Sequence, residues 1–213
     1  MIVSALEADP RRRESTRILI DGRPAWTVPA DVVRALALRV GEAVPARVVE
    51  ALDAAADEEG ALRAGLRMLE RRSHSRRELA RKLTHRGHAD AAVAAAIGRL
   101  ERLRLLDDAR FAEQYVVARA ARGRGPARLR RDLEGLGVPT PVIDRAMGQL
   151  GADPALDPWQ RTLAQAERRA TAMADLPRAT RVRRLGAFLA RRGFADDRAR
   201  EAVDRLAGGD EPG

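Results

Sequence analysis

Two hydrophobic patterns divide this chain of 213 residues. Near the N-terminus, Thr16-Arg17-Ile18-Leu19-Ile20 and the stretch Arg23 to Val28, which includes Trp26, flank Asp21-Gly22. That dipeptide suits a tight two-residue turn, so a β-hairpin is predicted. Pro29-Ala30-Asp31 opens a helical pattern through Val33, Leu36, Ala37 and Val40, with Gly41 as its stop. A second helix is predicted from about Ala46 through Glu59.

Beyond this point one pattern recurs. Leu79, Leu83, Gly87, Val93, Ile97 and Leu100 share their spacing with Leu129, Leu133, Gly137, Ile143, Met147 and Leu150, and again with Leu185, Leu189, Gly193, Ala199, Val203 and Leu206. Two leucines four apart lie on one helix face, and a glycine four residues later suits the left-handed backbone at a helix end. The apolar positions after each glycine return at intervals of four and three, so a second helix packs back on the first. A further helix precedes each hairpin: Leu62, Leu66 and Leu69; Phe111, Ala112 and Tyr115; Leu163, Ala166 and Ala170. The predicted fold is all-α, with three tandem three-helix repeats in an elongated curved array and a small β-hairpin plus helix extension at the N-terminus. The expected division is an extension over 1–60, repeats over 61–106 and 107–150, a linker over 151–158, a third repeat over 159–207 and a flexible tail over 208–213.

Composition supports helix-on-helix packing. Hydrophobic residues make up 45% of the chain but aromatic ones only 3%, so the apolar content is mostly Ala, Leu and Val, which suits thin helical layers. There is no cysteine, which excludes disulfides and Cys-based zinc sites and makes the cytoplasm the expected compartment. No window reaches the roughly 18 apolar residues of a membrane span, and Met1 to Pro10 lacks the pattern of an export signal, so no membrane association is expected.

Charge narrows the class of partner. The net charge of +9 points to an anionic one, and its distribution is uneven: about −3 over residues 1–60, +10 over 61–150 and +2 over 151–213. Lys82 is the only lysine, a preference for Arg that codon bias can explain, although codon bias does not explain the net charge.

Catalytic motifs are missing. No Walker-type phosphate loop, G-x-G-x-x-G after a strand, or G-x-S-x-G occurs, and Gly123-Arg124-Gly125 reads as a turn between two helices. His74, His85 and His88 lie among Arg76, Arg77, Arg81, Lys82 and Arg86, which would repel a metal cation, so solvated imidazoles are expected. Asp107-Asp108 and Asp196-Asp197 precede apolar helical patterns and read as helix caps rather than catalytic carboxylate pairs. No enzyme, cofactor or metal site is expected.

The basic residues form the candidate binding surface. On the middle helix of each repeat, the positions two before and two after the first leucine point away from the core: Arg77 and Arg81, Ala127 and Arg131, Arg183 and Ala187. Stacked repeats would line these arginines into a stripe, joined by Arg71, Arg72, Arg76 and Lys82 in the first repeat and by Arg119, Arg122, Arg124 and Arg128 in the second. Any single arginine is best explained as the solvated side of a helix, whereas the excess over the two central repeats exceeds what solubility requires.

The stretch Leu69-Glu70-Arg71-Arg72-Ser73-His74-Ser75-Arg76-Arg77-Glu78-Leu79, with Leu83, Gly87, Leu106-Asp107-Asp108-Ala109-Arg110-Phe111-Ala112 and Tyr115, resembles the RecX family. The resemblance continues through Arg119, Gly125, Leu129, Leu133 and Leu136-Gly137-Val138, and Arg192-Gly193-Phe194 echoes it. It implies tandem three-helix repeats, no cofactor, and a modulator, usually an inhibitor, lodged in the groove of the RecA filament on single-stranded DNA. The expected partners are therefore that filament and DNA itself, bound by a monomer. A general DNA-binding helical protein and a structural repeat scaffold are the competing readings.

Overall fold

The computed structural model describes residues 1–10 and 12–208, which fall into a first compact unit over Met1–Leu106 and a second from Asp107 onward. The chain is mostly helical, with a small antiparallel sheet at its N-terminus.

The sheet has three strands, β1 (Val3–Asp9), β2 (Arg12–Ile20) and β3 (Arg23–Pro29), in the order β1-β2-β3. The predicted hairpin is β2-β3, and Asp21 (φ 49°) with Gly22 (φ 80°) gives both turn positions the positive φ of a type I′ turn. The extra strand β1 corrects the two-stranded expectation. Ala5, Leu6, Glu7 and Ala8 favour helix by intrinsic propensity, and Val3 is the strand's one fully buried side chain, so β1 depends on its ladder with β2.

Between the sheet and the first three-helix domain the structure departs from the expectation twice. Helix α1 covers only Ala30–Ala35; Ala37 turns to φ 49° and Val40 is exposed, so the apolar pattern to Gly41 is not one helix. Helix α2 then runs without a break over Ala46–Arg71. The helix expected to end at Glu59 and the first helix of the repeat are therefore one element, and the expected boundary at 60/61 lies inside it. Gly60 lowers helix propensity without breaking the hydrogen-bond ladder. One face of α2 carries Leu52, which joins Val3, Ile18, Ile20 and Val28 in the sheet's core, and Trp26 donates to Asp53 Oδ1 at 2.6 Å. Farther along, Ala61, Leu62, Ala64 and Met68 belong to the core of the three-helix domain.

That domain is completed by α3 (Arg76–Thr84) and α4 (Asp90–Arg102). Leu79, Leu83, Val93, Ile97 and Leu100 are all buried, as the spacing required. Ser75 caps α3 by accepting from the Glu78 backbone N–H at 3.1 Å. Gly65 on α2 lets α4 approach closely: a Cβ there would lie 2.9 Å from Leu100 Cδ1.

The second unit contains α5 (Asp108–Ala120), α6 (Pro126–Gly135) and α7 (Thr140–Ala152), a 3₁₀ turn over Pro154–Leu156, and then α8 (Trp159–Thr171), α9 (Arg178–Arg192) and α10 (Asp197–Leu206). Asp107 caps α5 through the N–H groups of Ala109 and Arg110, and Asp196 caps α10 through that of Ala199. Leu129, Leu133, Ile143 and Leu150 form the α5–α7 core with Phe111 and Ala112; Leu185, Leu189, Ala199 and Val203 form the α8–α10 core with Ala166 and Phe188. The stretch expected as a linker is largely ordered, because α7 runs on to Ala152 and Leu156 packs against the α5–α7 core. Of the expected flexible tail, residues 209–213 lie outside the described residues.

Within the second unit the two helical triplets meet backbone to backbone. Gly125 N–H donates to Arg192 C=O at 2.7 Å, and Thr162 Oγ1 donates to Gly123 C=O at 3.0 Å. Any side chain would break this approach: a Cβ on Gly125 would lie 2.7 Å from Phe194 Cε2, and one on Gly193 (φ 94°) would lie 2.5 Å from Arg128 N. The Gly123-Arg124-Gly125 turn joins two helices, as expected, and also seats the helices that follow.

Candidate anion-binding surface

On the middle helices the leucines fix which side chains face outward, and Arg77, Arg81, Arg131 and Arg183 are all exposed as the spacing required. None of the four has a side-chain partner among the described residues. The same holds for Arg71 at the end of α2.

Of the remaining predicted binding residues, all but Arg122 are engaged inside their own units. In the first unit Glu78, only 5% exposed on α3, collects Arg72, Lys82 (Nζ to Oε1 3.1 Å) and His74 (Nδ1 to Oε2 2.9 Å). The His74 contact is close enough for an ion pair but is not aligned as a hydrogen bond. Burial alone would raise the pKa of Glu78, but its contacts with Arg72, His74 and Lys82 prevail and bring it down to about 2. Burial lowers the pKa of His74 against the pull of the Glu78 carboxylate. Arg76 reaches across to Glu101 on α4 at 2.9 Å. Arg71, Arg72, His74, Lys82 and His85 line a cavity of about 390 Å³.

Two of the three histidines are not the solvated side chains expected. His74 is buried on Glu78, and His88 Nδ1 lies 2.6 Å from Asp57 Oδ1. Asp57 also accepts from the Ala89 N–H at 2.8 Å, so a carboxylate on α2 holds the start of α4. Burial opposes ionisation of Asp57, yet the contacts with His88 and Ala89 leave its pKa lowered. The sequence hid the His88 pairing because Asp57 and His88 are 31 residues apart. The described residues contain no group of three or more His, Cys, Asp or Glu that could hold a metal ion.

In the second unit Asp132 on α6 plays the part of Glu78. Arg128 Nε donates to its Oδ1 at 2.9 Å, Arg124 pairs with Oδ2, and the Tyr115 hydroxyl lies 3.3 Å from Oδ2. Burial and the Asp132 carboxylate raise the Tyr115 pKa. Arg119 lies 5.3 Å over the Tyr115 ring, and Arg122 accepts through its backbone C=O from Arg192 Nη1 at 3.0 Å with its own side chain exposed. Aligned on Leu79 and Leu129, Glu78 corresponds to Arg128 and Lys82 to Asp132, so the two domains carry the same ion pair with its charges exchanged. Its four-residue spacing is the signal by which sequence alone could have found both carboxylates.

The structure therefore divides the predicted binding residues. Arg72, Arg76, Lys82, Arg124 and Arg128 are neutralised within the chain, Arg119 lies on Tyr115, and Arg71, Arg77, Arg81, Arg122, Arg131 and Arg183 extend into solvent.

Compact three-helix domains with an outward set of uncompensated guanidinium groups define a class of small helical proteins with a basic surface. Two descriptions of known families match this chain: "RecX, first three-helix domain" over residues 61–100 and "RecX, second three-helix domain" over residues 107–147. The regulatory protein RecX of Halorhodospira halophila is 39% identical over 161 residues, which is 76% of this chain and 97% of that protein. The regulatory protein RecX of Stenotrophomonas maltophilia strain K279a is 40% identical over 138 residues, 65% of this chain and 82% of that protein. The chain belongs to the RecX family, a family of regulatory proteins. Its fold agrees with a crystal structure of a regulatory protein RecX at a TM-score of 0.73 and 21% identity, covering 96% of this chain and 98% of that one. A RecX structure from Lactobacillus salivarius matches 70% of this chain and 96% of that one at a TM-score of 0.59 and 20% identity.

Proposed function

We propose that this protein binds the RecA filament on single-stranded DNA and lowers its recombinase and ATPase activity, as a regulator of DNA repair and the SOS response in the cytoplasm. The observation that carries this reading is the set of outward arginines without partners, Arg77, Arg81, Arg131 and Arg183, on a member of a regulatory family. A catalytic role has no counterpart in this set, since guanidinium groups in solvent bind anions and do not exchange protons near neutral pH. In this reading α8–α10 are a third copy of the three-helix unit, the protein acts as a monomer, and successive units bring their arginines to acidic RecA side chains, DNA phosphates, or both.

The test is to titrate the protein into RecA hydrolysing ATP on single-stranded DNA, with binding to bare DNA measured in parallel. A fall in hydrolysis at substoichiometric ratios, with weak binding to bare DNA, supports a filament-directed regulator. No effect until the protein saturates the DNA overturns it in favour of a general basic DNA binder. The paired substitution Arg77→Glu and Arg131→Glu is expected to weaken filament binding at physiological salt, and unchanged binding would remove these arginines from the interface.

A further inference from the structure

Aligned on Leu79, Leu129 and Leu185, the middle helices of the three triplets differ at two positions that govern their charge. The first has Glu78 and Lys82, the second Arg128 and Asp132, and the third Arg184 and Phe188. In α3 and α6 a half-hidden or buried carboxylate neutralises the neighbouring cations, with Glu78 at 5% and Asp132 at 14% exposure. Helix α9 has no such carboxylate. Arg169, Arg183, Arg184 and Arg191 instead surround a cavity of about 460 Å³ that includes Phe188 and no acidic residue in its wall. Among the described residues none of these four arginines forms an ion pair or a side-chain hydrogen bond. The anion that the first two triplets build in is missing from the third.

We propose that this cavity, on α8 and α9, is a seat for the phosphate backbone of a single-stranded nucleic acid, with Arg169, Arg184 and Arg191 as its principal contacts. The proposal deepens the function above by assigning nucleic-acid contact to one site, and direct binding there does not require RecA. Arg184, Phe188 and Arg191 follow one another at intervals of four and three, so both arginines lie on one face of α9, about 10.5 Å apart along its axis. That span matches about three steps of a stacked strand at roughly 3.4 Å per nucleotide. Arg169 comes from α8 and lies 4.4 Å over the Phe188 ring, which fixes a side chain that would otherwise be free to swing. The guanidinium fork matches phosphate oxygens two at a time.

The chemistry favours a phosphate chain over an acidic protein segment. A protein partner ordinarily anchors an apolar or aromatic side chain in a desolvated pocket. Phe188 is only 5% exposed and carries Arg169 and Arg192 over its ring, so its ring is not open to such an anchor, and the apolar wall that remains is Ala187 and Met173. A backbone polyanion needs none, because its binding is driven by charge and by release of counterions.

The experiment uses the full-length protein and a fluorescently labelled oligothymidylate, with binding read by anisotropy from about 50 to about 200 mM salt. Arg184→Glu inserts a carboxylate among the other three arginines. It is expected to weaken oligothymidylate binding by at least about tenfold and to flatten the salt dependence, since each phosphate contact contributes about 0.7 to the slope on a single strand. Its melting temperature is expected to stay level or rise, because like charges have been relieved, so loss of binding is separable from loss of fold. The double substitution Arg169→Ala with Arg191→Ala is expected to weaken binding in the same direction without adding negative charge. Unchanged affinity and salt slope in both variants overturn the assignment. Polyglutamate displacing the oligonucleotide at equal charge concentration also overturns it, in favour of an acidic protein partner. RecA hydrolysis followed in parallel keeps the two readings apart: a variant that loses oligothymidylate binding yet still inhibits RecA leaves the filament reading standing, whereas wild-type protein that binds the oligonucleotide without inhibiting RecA removes that reading alone.

Discussion

Glu78 is the residue on which the first unit's charges converge, and its environment fixes the direction of an acid response. Its pKa is held at about 2, below the usual carboxylate value, by Arg72, His74 and Lys82. A carboxylate depressed in the folded state contributes stability that is complete above its unfolded pKa, about 4.5, and is lost as pH falls towards 2. His74 acts in the same direction at higher pH. Its folded pKa lies below the unfolded value, so protonation of the unfolded chain below about pH 6.5 draws the equilibrium away from the fold. Urea denaturation followed from pH 7 downward is therefore expected to show a first decline beginning near 6.5 and a second below about 4.5. In Glu78→Gln the second decline should be shallower, and stability near neutral pH should fall by about 1–3 kcal/mol, because Arg72 and Lys82 lose their anion, although both are exposed enough to recover water. An unchanged acid profile in that variant would remove Glu78 as its source.

At the scale of elements, close approach of the backbone decides one joint in the second unit. Where α6 begins, Gly125 and Gly193 allow the α8–α10 triplet to contact the α5–α7 triplet through the backbone hydrogen bond from Gly125 to Arg192. Gly193→Ala meets both a positive φ and Arg128 N, and is expected to cost at least about 2 kcal/mol. Trp159, the only tryptophan in the second unit, packs edge-on against Phe194 at 5.2 Å, so its fluorescence in a Trp26→Phe background reports on this joint. Trp159 emission in Gly193→Ala is expected to change at lower denaturant than in the parent, and coincident midpoints would show that the contact is dispensable. At the start of α5, Asp107→Ala removes the one carboxylate oxygen that accepts from two N–H groups and is expected to cost about 0.5–2 kcal/mol in thermal or chemical melts.

For the whole molecule, binding should be governed by which arginines already have partners. Arg124 and Arg128 are committed to Asp132, so Arg124→Ala should disturb the α5–α6 packing more than it disturbs an external partner. Arg131 has no such commitment, and Arg131→Ala should leave stability within about 0.5 kcal/mol while weakening filament binding. Melting curves and filament binding measured on both variants distinguish the two roles. The reverse pattern, with Arg124→Ala neutral for stability, would mean that the ion pairs on Asp132 do not organise the domain.

Much of this organisation was determined by local sequence. The paired leucines, the glycine four residues later and the return at intervals of four and three specify each helical hairpin, because a helix buries whatever its own period brings to one face. Asp21-Gly22, Asp107 and Asp196 specify turn and caps because their hydrogen bonds are made within a few residues. The same periodicity correctly turned Arg77, Arg81, Arg131 and Arg183 outward. Tertiary structure alone decided what depends on distant partners. Strand β1 exists through its ladder with β2, α2 stays whole because each half has a core to pack on, and His88 meets an aspartate 31 residues away. It also decided which cations are neutralised. An arginine's partner depends on which carboxylate folding brings within about 4 Å, a distance that helical periodicity constrains on one helix but not between helices.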